Sequence, residues 1–287
     1  MRVVVTGGTG FIGRRLVGRL RGAGHDAVVP PRGVITGVDG ADAVVHLAGE
    51  NVAQRWTSSA KERIERSRVD GTLRLVGAMG GAKRKPPVLV AASAVGYYGA
   101  RGDEELDEET PPGSDFLART CVAWEAAASA AEAFGIRVVR LRIGVVLAAD
   151  GGALAKMLPA FRAFAGGPVG SGSQWMSWIH RDDLVELFLF SLSNAAVSGA
   201  LNATAPRPVR NREFAAALGR AVHRPALVPA PAAAVKLLFG EMATMVLDGQ
   251  RAVPKRALGL GFRFRFPELS VALGDVFARP GEAPTPA

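Results

Sequence analysis

The sequence predicts an α/β fold: a doubly wound parallel sheet followed by a small, mainly helical C-terminal cap. Three observations predict it. Short β-branched runs alternate with amphipathic helical stretches along the first half of the chain. A glycine-rich turn stands between the first strand and the first helix. Beyond about residue 148 the alternation stops, and alanine-rich helical segments take over after residue 207.

Arg2-Val3-Val4-Val5 reads as a short buried strand. After the turn, a helix from about Phe11 to Arg21 carries Phe11, Ile12, Leu16 and Leu20 on one face. Gly22 and Gly24 end it, and Ala27-Val28-Val29 forms the second strand. Ala43 to Ala48 is the next buried strand, and a helix is expected from Ser58 to about Met79. Val88–Ala92 and Arg137–Arg142 are further strands, separated by a helix over Phe116–Phe134. Gly166 to Ser173 must be a loop. Asp182–Ser193 is helical, Ala200–Ala203 returns as a last strand, and Phe262-Arg263-Phe264-Arg265-Phe266 falls in the cap. The expected organisation is a dinucleotide-binding unit over residues 1–148, to which 179–206 returns. Residues 149–178 and 207–278 then form a substrate and cap region, and 279–287 a flexible tail.

Composition bounds the function. The 287 residues suit one large domain or two small ones, and 48% hydrophobic content supports a sizeable core. A single cysteine, Cys121, excludes an intrachain disulfide framework and a Cys-rich zinc site. His25, His46 and His223 lack metal-ligand spacing, so no metal is expected. The start MRVVVTGG is too short an apolar run for a secretory signal. Leu187–Pro206 is uncharged but carries asparagines, glycine and serines, so it is rejected as a span. The expectation is a cytoplasmic protein with no membrane or nucleic-acid partner, and a homodimer is compatible with it. Thirty-five basic against 26 acidic residues give a net charge of +9. Residues 207–265 alone hold eleven basic and three acidic residues, so the surplus is concentrated in the cap, which predicts an anionic small-molecule substrate. Base composition of the genome is the competing explanation.

Gly7, Gly10 and Gly13 give the spacing G-x-x-G-x-x-G between strand and helix. The first glycine makes a tight turn, the second admits a pyrophosphate to the backbone, and the third lets helix and strand pack closely. With Phe11 and Ile12 these residues form a Rossmann-type dinucleotide turn. NAD sites usually follow the second strand with a carboxylate for the ribose 2′-OH. Here the run is Val28-Val29-Pro30-Pro31-Arg32, and an arginine suits a 2′-phosphate, so NADP is the expected cofactor.

Thr6–Gly13, His46-Leu47-Ala48 and Ile179–Leu184 resemble the extended short-chain dehydrogenases/reductases of the NAD-dependent epimerase/dehydratase group. Leu47-Ala48-Gly49-Glu50-Asn51, Arg55-Trp56, Ser67-Arg68, Trp124-Glu125, Gly166-Gly167-Pro168, Trp178-Ile179-His180, Gly249-Gln250-Arg251 and Phe266–Leu269 narrow the likeness to its atypical branch, family 39U. The likeness spans about residues 1–277. It implies an NADP-binding Rossmann fold and places cofactor contacts at Arg32, Leu47, Ala48, Gly49, Arg63, Arg68 and Val146. Arg63 and Arg68 lie five apart on one helix and face differently, so Arg68 is preferred for a phosphate. The stretch from Arg32 to Asp42 is short for this family, which predicts a reduced or missing third strand.

The superfamily's usual Tyr-x-x-x-Lys is absent: Leu117 falls at the tyrosine position and Cys121 at the lysine position. Ser93 stands where the family serine belongs, and Tyr97 and Tyr98 are the only tyrosines in the chain. Ser93, Tyr97 and Tyr98 are therefore the candidate catalytic residues, with a pocket-lining role for both rings as the alternative. Cys121 is expected as a buried filler. Gln174, Trp175, Trp178 and His180 are weaker candidates to face a substrate, His180 more as a structural residue. Asp182-Asp183 is expected to cap the following helix, and the acidic run Asp103–Glu109 to be a solvated loop. Two functions follow: an NADP(H)-dependent, epimerase-like oxidoreductase, or a non-catalytic NADP(H)-binding redox sensor or interaction protein.

Overall fold

A computed structural model describes residues 1–278, so the expected tail at 279–287 lies outside the described residues. In chain order the elements are β1 (Arg2–Thr6), α1 (Phe11–Gly22), β2 (Asp26–Val28), β3 (Ala43–His46), α2 (Ser58–Gly80), β4 (Val88–Ala94) and β5 (Glu105–Leu106). There follow α3 (Phe116–Ser129), β6 (Arg137–Ile143), β7 (Val145–Leu147), α4 (Gly152–Arg162), β8 (Trp175–Met176), β9 (Trp178–His180), α5 (Arg181–Ser193) and β10 (Gly199–Ala203). The C-terminal region adds β11 (Val209–Arg210), α6 (Asn211–Ala221), α7 (Ala232–Phe239), α8 (Thr244–Leu247), β12 (Arg251–Ala252), α9 (Lys255–Gly259) and α10 (Leu269–Phe277).

Six strands form one parallel sheet in the order β10-β6-β4-β3-β1-β2. Its strands are apolar on both sides because helices cover both faces. Val3, Val5, Val90 and Leu141 point toward α1 and α5, where they meet Leu16, Leu20, Leu184 and Phe188. Val4, Val44, Leu89 and Val138 point the other way, onto Leu75, Val76 and Met79 of α2 and Ala128 of α3. This is the doubly wound arrangement that the alternating runs predict.

Between Val28 and Ala43 there is no strand, so β2 is the sheet edge. Residues 33–42 carry three glycines, and Gly33, Gly37 and Gly40 all sit at positive φ, a conformation that breaks a strand ladder. The connection from β2 back to β3 places the chain reversal between β1 and β3, where open α/β sheets take ligands at the strand ends.

The C-terminal region is not one separate layer. Leu154, Leu158 and Phe161 of α4, Phe214 and Leu218 of α6 and Leu273 of α10 build a second core with Leu147 and Trp178. Ala257 and Phe262 instead belong to the main core against α5 and the sheet. The Phe262–Phe266 run is irregular backbone that seats Phe262 in the first core and Phe266 in the second. Among the described residues no helix is long and apolar enough to cross a membrane.

Candidate functional site

The glycine turn is built as a cradle. Gly7 sits at φ +74°, and a Cβ there would come within 2.7 Å of the Ala48 nitrogen and the Leu47 carbonyl carbon. A Cβ on Gly13 would lie 2.2 Å from the Gly7 carbonyl oxygen, so the third glycine is required for α1 to seat on β1. At Gly10 the nearest atom is the Gly7 oxygen at 3.1 Å, and the rest of its surroundings is open. Gly10 is also the N-cap of α1, with no side-chain cap among the described residues and no acidic residue in the first turn. The N–H groups of Phe11, Ile12 and Gly13 thus end a twelve-residue helix with its positive dipole end free for an anion.

A buried hydrogen-bonded chain holds the far wall. Thr6 Oγ1 lies 2.5 Å from His46 Nδ1, His46 Nε2 lies 2.9 Å from Thr72 Oγ1, and the Trp124 indole donates to that same hydroxyl at 3.1 Å. Burial pushes the His46 pKa down to about 4, so the ring is neutral at physiological pH. The chain fixes the end of β3, from which Leu47 and Ala48 pass against Gly7. His46, read from the sequence as part of the His46-Leu47-Ala48 motif and as lacking metal spacing, is a positioning element here. Among the described residues no group of three or more His, Cys, Asp or Glu side chains is arranged to hold a metal ion.

The three arginines separate. The Arg32 side chain is 93% exposed beyond β2 and lies 3.4 Å from Glu50. Arg63 is exposed and reaches Gln54 at 3.5 Å. Arg68 is different: it donates to the carbonyls of Glu50 (3.0 Å) and Ile64 (3.2 Å) and stacks on Trp124. Its guanidinium lies beside Gly49, and burial lowers its pKa. Arg68 therefore supports the Leu47–Asn51 backbone, and its two carbonyl bonds compete with the phosphate contact expected of it. Val146 lies in β7, paired in register with Ile179 of β9.

The candidate catalytic residues occupy one buried network. β4 runs two residues longer than expected, so Ser93 is inside the strand and 3% exposed. Its hydroxyl donates to Glu125 Oε1 of α3 at 2.7 Å. Glu125 also accepts from Arg142 Nε (2.9 Å) and Nη2 (3.0 Å), a bidentate ion pair with both side chains 5% exposed. Tyr97 and Tyr98 lie in a 3-10 turn, Val95–Tyr98. Tyr98 is fully buried, donates to Asn202 Oδ1 at 2.7 Å and accepts from Arg142 Nη1 at 3.0 Å. Burial pushes its pKa up to about 12. With no exposed hydroxyl, Tyr98 is a structural member of the network, against the expectation of a proton donor. Tyr97 is half-buried, and the Arg142 guanidinium rests 3.5 Å from its ring centroid. No hydrogen bond engages its hydroxyl among the described residues.

Leu117 packs toward Gly96 in the same turn, at the place of the missing tyrosine. Cys121 is a buried filler whose thiol burial pushes up to about 12, far from a thiolate at neutral pH.

Several weaker candidates resolve into structure. Trp178 is fully buried and donates to the Arg207 carbonyl. His180 is buried, stacks on Phe266 and itself caps α5 by accepting from the Asp182 N–H at 3.2 Å. The cap expected from Asp182-Asp183 is therefore two residues earlier, at His180. Asp182 binds Arg15 bidentately at 2.7 Å, and Asp183 accepts the N–H groups of Arg265 and Phe266. Gln174 straps the Val169 and Val246 carbonyls together.

The acidic run is not a free loop. Asp103 meets Arg210 at 2.7 Å, Glu105 meets Arg251 at 3.2 Å and Asp107 meets Lys255 at 3.0 Å. Glu108 is buried and accepts the N–H groups of Asn202 and Arg256. β5 within this run pairs with β12. Much of the cap's positive charge, expected to face a ligand, is thus met inside the chain. Trp175 lies between Arg210 and Arg251 and donates to Asp103. Beside it is a cavity of about 400 Å³, which the exposed Arg212 also lines.

Comparison with known proteins agrees with this geometry. The model of the NAD dependent epimerase/dehydratase family matches residues 3–203, and a domain of unknown function, DUF1731, matches residues 230–276. The chain is 45% identical to the chloroplastic epimerase family protein SDR39U1 homolog of Arabidopsis thaliana, over 95% of this chain and 86% of that one. It is 41% identical to the epimerase family protein SDR39U1 of Mus musculus, over 97% and 100%. The crystal structure of human epimerase family protein SDR39U1 (isoform 2) with NADPH superposes with a TM-score of 0.90 at 37% identity, covering 96% of this chain and 99% of that one. With a family match over most of the sheet region and near-full-length relatives, the chain belongs to the NAD-dependent epimerase/dehydratase family.

Proposed function

We propose that the chain binds NADP(H) across the Gly7–Gly13 turn and uses it to oxidise or reduce a small polar substrate held between the strand ends and the C-terminal region. The observation that carries this reading is the cradle. Its uncapped, acid-free helix terminus faces a glycine turn that no side chain fills, and Arg32 instead of a carboxylate follows β2. The NADPH in the crystal structure of the human relative supports the same choice. When bound, the nicotinamide supplies the hydride donor or acceptor.

The chain's own residues divide the remaining work. Gly7, Gly10, Phe11, Ile12 and Gly13 take the pyrophosphate, and Leu47, Ala48 and Val146 line the flat surfaces of the dinucleotide. Arg32 and Arg63, both exposed and held only by contacts to Glu50 and Gln54, take a 2′-phosphate, while Arg68 holds Gly49 and Glu50 in place. Tyr97 is the group with an unengaged hydroxyl near the strand ends, so it moves the proton. Ser93 and Tyr98 act through Glu125 and Arg142, on which the Tyr97 ring rests. Arg212 can meet an anionic group on the substrate.

One observation favours a second reading, cofactor binding without turnover: Leu117 and Cys121 stand where the superfamily's proton-transfer pair belongs. Titration of NADPH and NADH tests the cofactor. Charge-assisted arginine bonds to a phosphate contribute about 1.5–3 kcal/mol, so NADPH is expected to bind roughly ten- to a hundredfold tighter, and Arg32→Glu to remove most of that preference. Tighter NADH binding overturns the assignment. A screen of carbonyl and nucleotide-sugar substrates for NADPH oxidation separates the two readings. Equal turnover by wild type and Tyr97→Phe removes Tyr97 from the reaction.

A further inference from the structure

Arg181, the first residue of α5, is bound on two sides. Its guanidinium lies 5.2 Å from the ring centroid of Phe11, the first residue of α1, and its Nη1 meets Asp150 Oδ1 at 2.5 Å. The side chain is only 19% exposed, and its Nε is buried with no hydrogen-bond partner among the described residues. Phe11 in turn fills a notch made by two glycines. A Cβ on Gly151 would come within 2.4 Å of the ring and one on Gly152 within 2.9 Å, and Gly152 sits at φ +67°. Carboxylate, guanidinium and ring thus stack the Ala149–Gly152 loop onto the start of α1.

We propose that Arg181 is a positioning residue: it latches the Ala149–Gly152 loop onto Phe11 at the mouth of the dinucleotide cradle and thereby sets how long the cofactor stays bound. This rests on the NADP(H) reading above. The loop begins only three residues after Val146 of β7, and a Cβ on Gly152 would lie 3.3 Å from the Val146 carbonyl oxygen. It therefore connects the two ends of the expected cofactor path, the glycine turn and β7. Arg181 also compensates the Asp150 carboxylate, which would otherwise stand uncompensated near the helix terminus offered to the phosphates. The latch has a fixed base, because α1 and α5 are cross-braced by Arg15 with Asp182 and by Arg19 with Glu186. A buried, unpartnered Nε costs stability, so the side chain is held there by its ring and carboxylate contacts.

The experiment is stopped-flow measurement of NADPH association and dissociation, with excess NADP⁺ as the displacing ligand. Arg181→Gln and Asp150→Asn should each raise the dissociation rate about five- to tenfold and leave association within about twofold. The double variant should be no faster than the faster single, and Arg181→Lys should recover much of the loss. Asp150 is 59% exposed, so Asp150→Asn keeps its thermal unfolding midpoint and tests the latch without a folding defect. Wild-type NADPH binding with unchanged dissociation in both variants overturns the latch alone, as do independent, multiplying effects or failure of the lysine to rescue. Absence of NADPH binding by the wild type overturns the cofactor reading and the latch with it.

Discussion

Replacing Arg142 with methionine should destabilise the protein more than any surface substitution. Arg142 and Glu125 are each 5% exposed and joined by two hydrogen bonds of 2.9 and 3.0 Å. Burial works to lower the Arg142 pKa, but the hydrogen bonds and charge of Glu125 outweigh it and hold the value above the usual guanidinium range. Removing the arginine leaves the Glu125 carboxylate with the Ser93 hydroxyl and with Arg140 at 3.7 Å. It also deprives the Tyr98 hydroxyl of a donor. Breaking one side of a buried pair costs about 3–5 kcal/mol, because the surviving charge stays buried. For a chain of this size that corresponds to a fall of roughly 6–20 °C in Tm. The discriminating variant is the double replacement Arg142→Met, Glu125→Leu, which removes both charges and should be more stable than Arg142→Met alone. Urea unfolding monitored by circular dichroism gives both numbers. A loss below about 1 kcal/mol for Arg142→Met, or a double variant less stable than that single, refutes the argument that a buried charge left with only the more distant Arg140 dominates.

Three further outcomes are expected. His46 has a folded-state pKa depressed to about 4 by burial, so between about pH 6.5 and 4 the unfolded chain binds the extra proton and stability falls as pH falls; the loss from pH 7 to 5 is about 2 kcal/mol, seen as a slope in unfolding free energy that His46→Gln flattens. Gly13→Ala places a methyl 2.2 Å from the Gly7 carbonyl oxygen, so α1 must move off β1, and NADPH affinity should drop at least tenfold with a loss of about 1–3 kcal/mol in chemical unfolding. Ser93→Ala removes one donor from Glu125 and should cost about 1–3 kcal/mol in unfolding, whereas an unchanged midpoint would mean that the carboxylate does not need it.

The sheet was legible because its code is local. Val3, Val4 and Val5 alternate between two helical layers, and the glycines of the first turn sit where backbone meets backbone. The missing strand was legible from the short chain length between Arg32 and Asp42. The buried network of candidate residues was only half legible. Ser93 was read as following its strand, because Ser93 and Ala94 are small and carry no strand signal of their own. Arg142 inside an apolar strand was the available sign of a buried partner, but its partner Glu125 lies on another element, and no local pattern pairs a helix residue with a strand residue. The acidic run failed for the same reason at longer range. Asp107 and Lys255 stand 148 residues apart, so each looks solvated until the chain folds. His180 capping α5 in place of Asp182-Asp183 is a smaller case: histidine is a weaker cap than aspartate by propensity, and tertiary pairing of Asp182 with Arg15 decided the register.

The seating of Phe262 in one core and Phe266 in the other bears on how the molecule comes apart. A segment that contributes side chains to both cores, while Asp183 holds its backbone, cannot be shed as a module. Cutting the chain after the last strand of the main sheet would expose Phe190, which packs edge-on to Phe262. The two cores of the intact chain should melt in a single cooperative step, and a fragment truncated after β10 should be sticky and short-lived instead of a free-standing cofactor-binding unit. During synthesis the sheet must wait for the final third of the chain before its outer helix is covered, so the first core should close only after the C-terminal third is made.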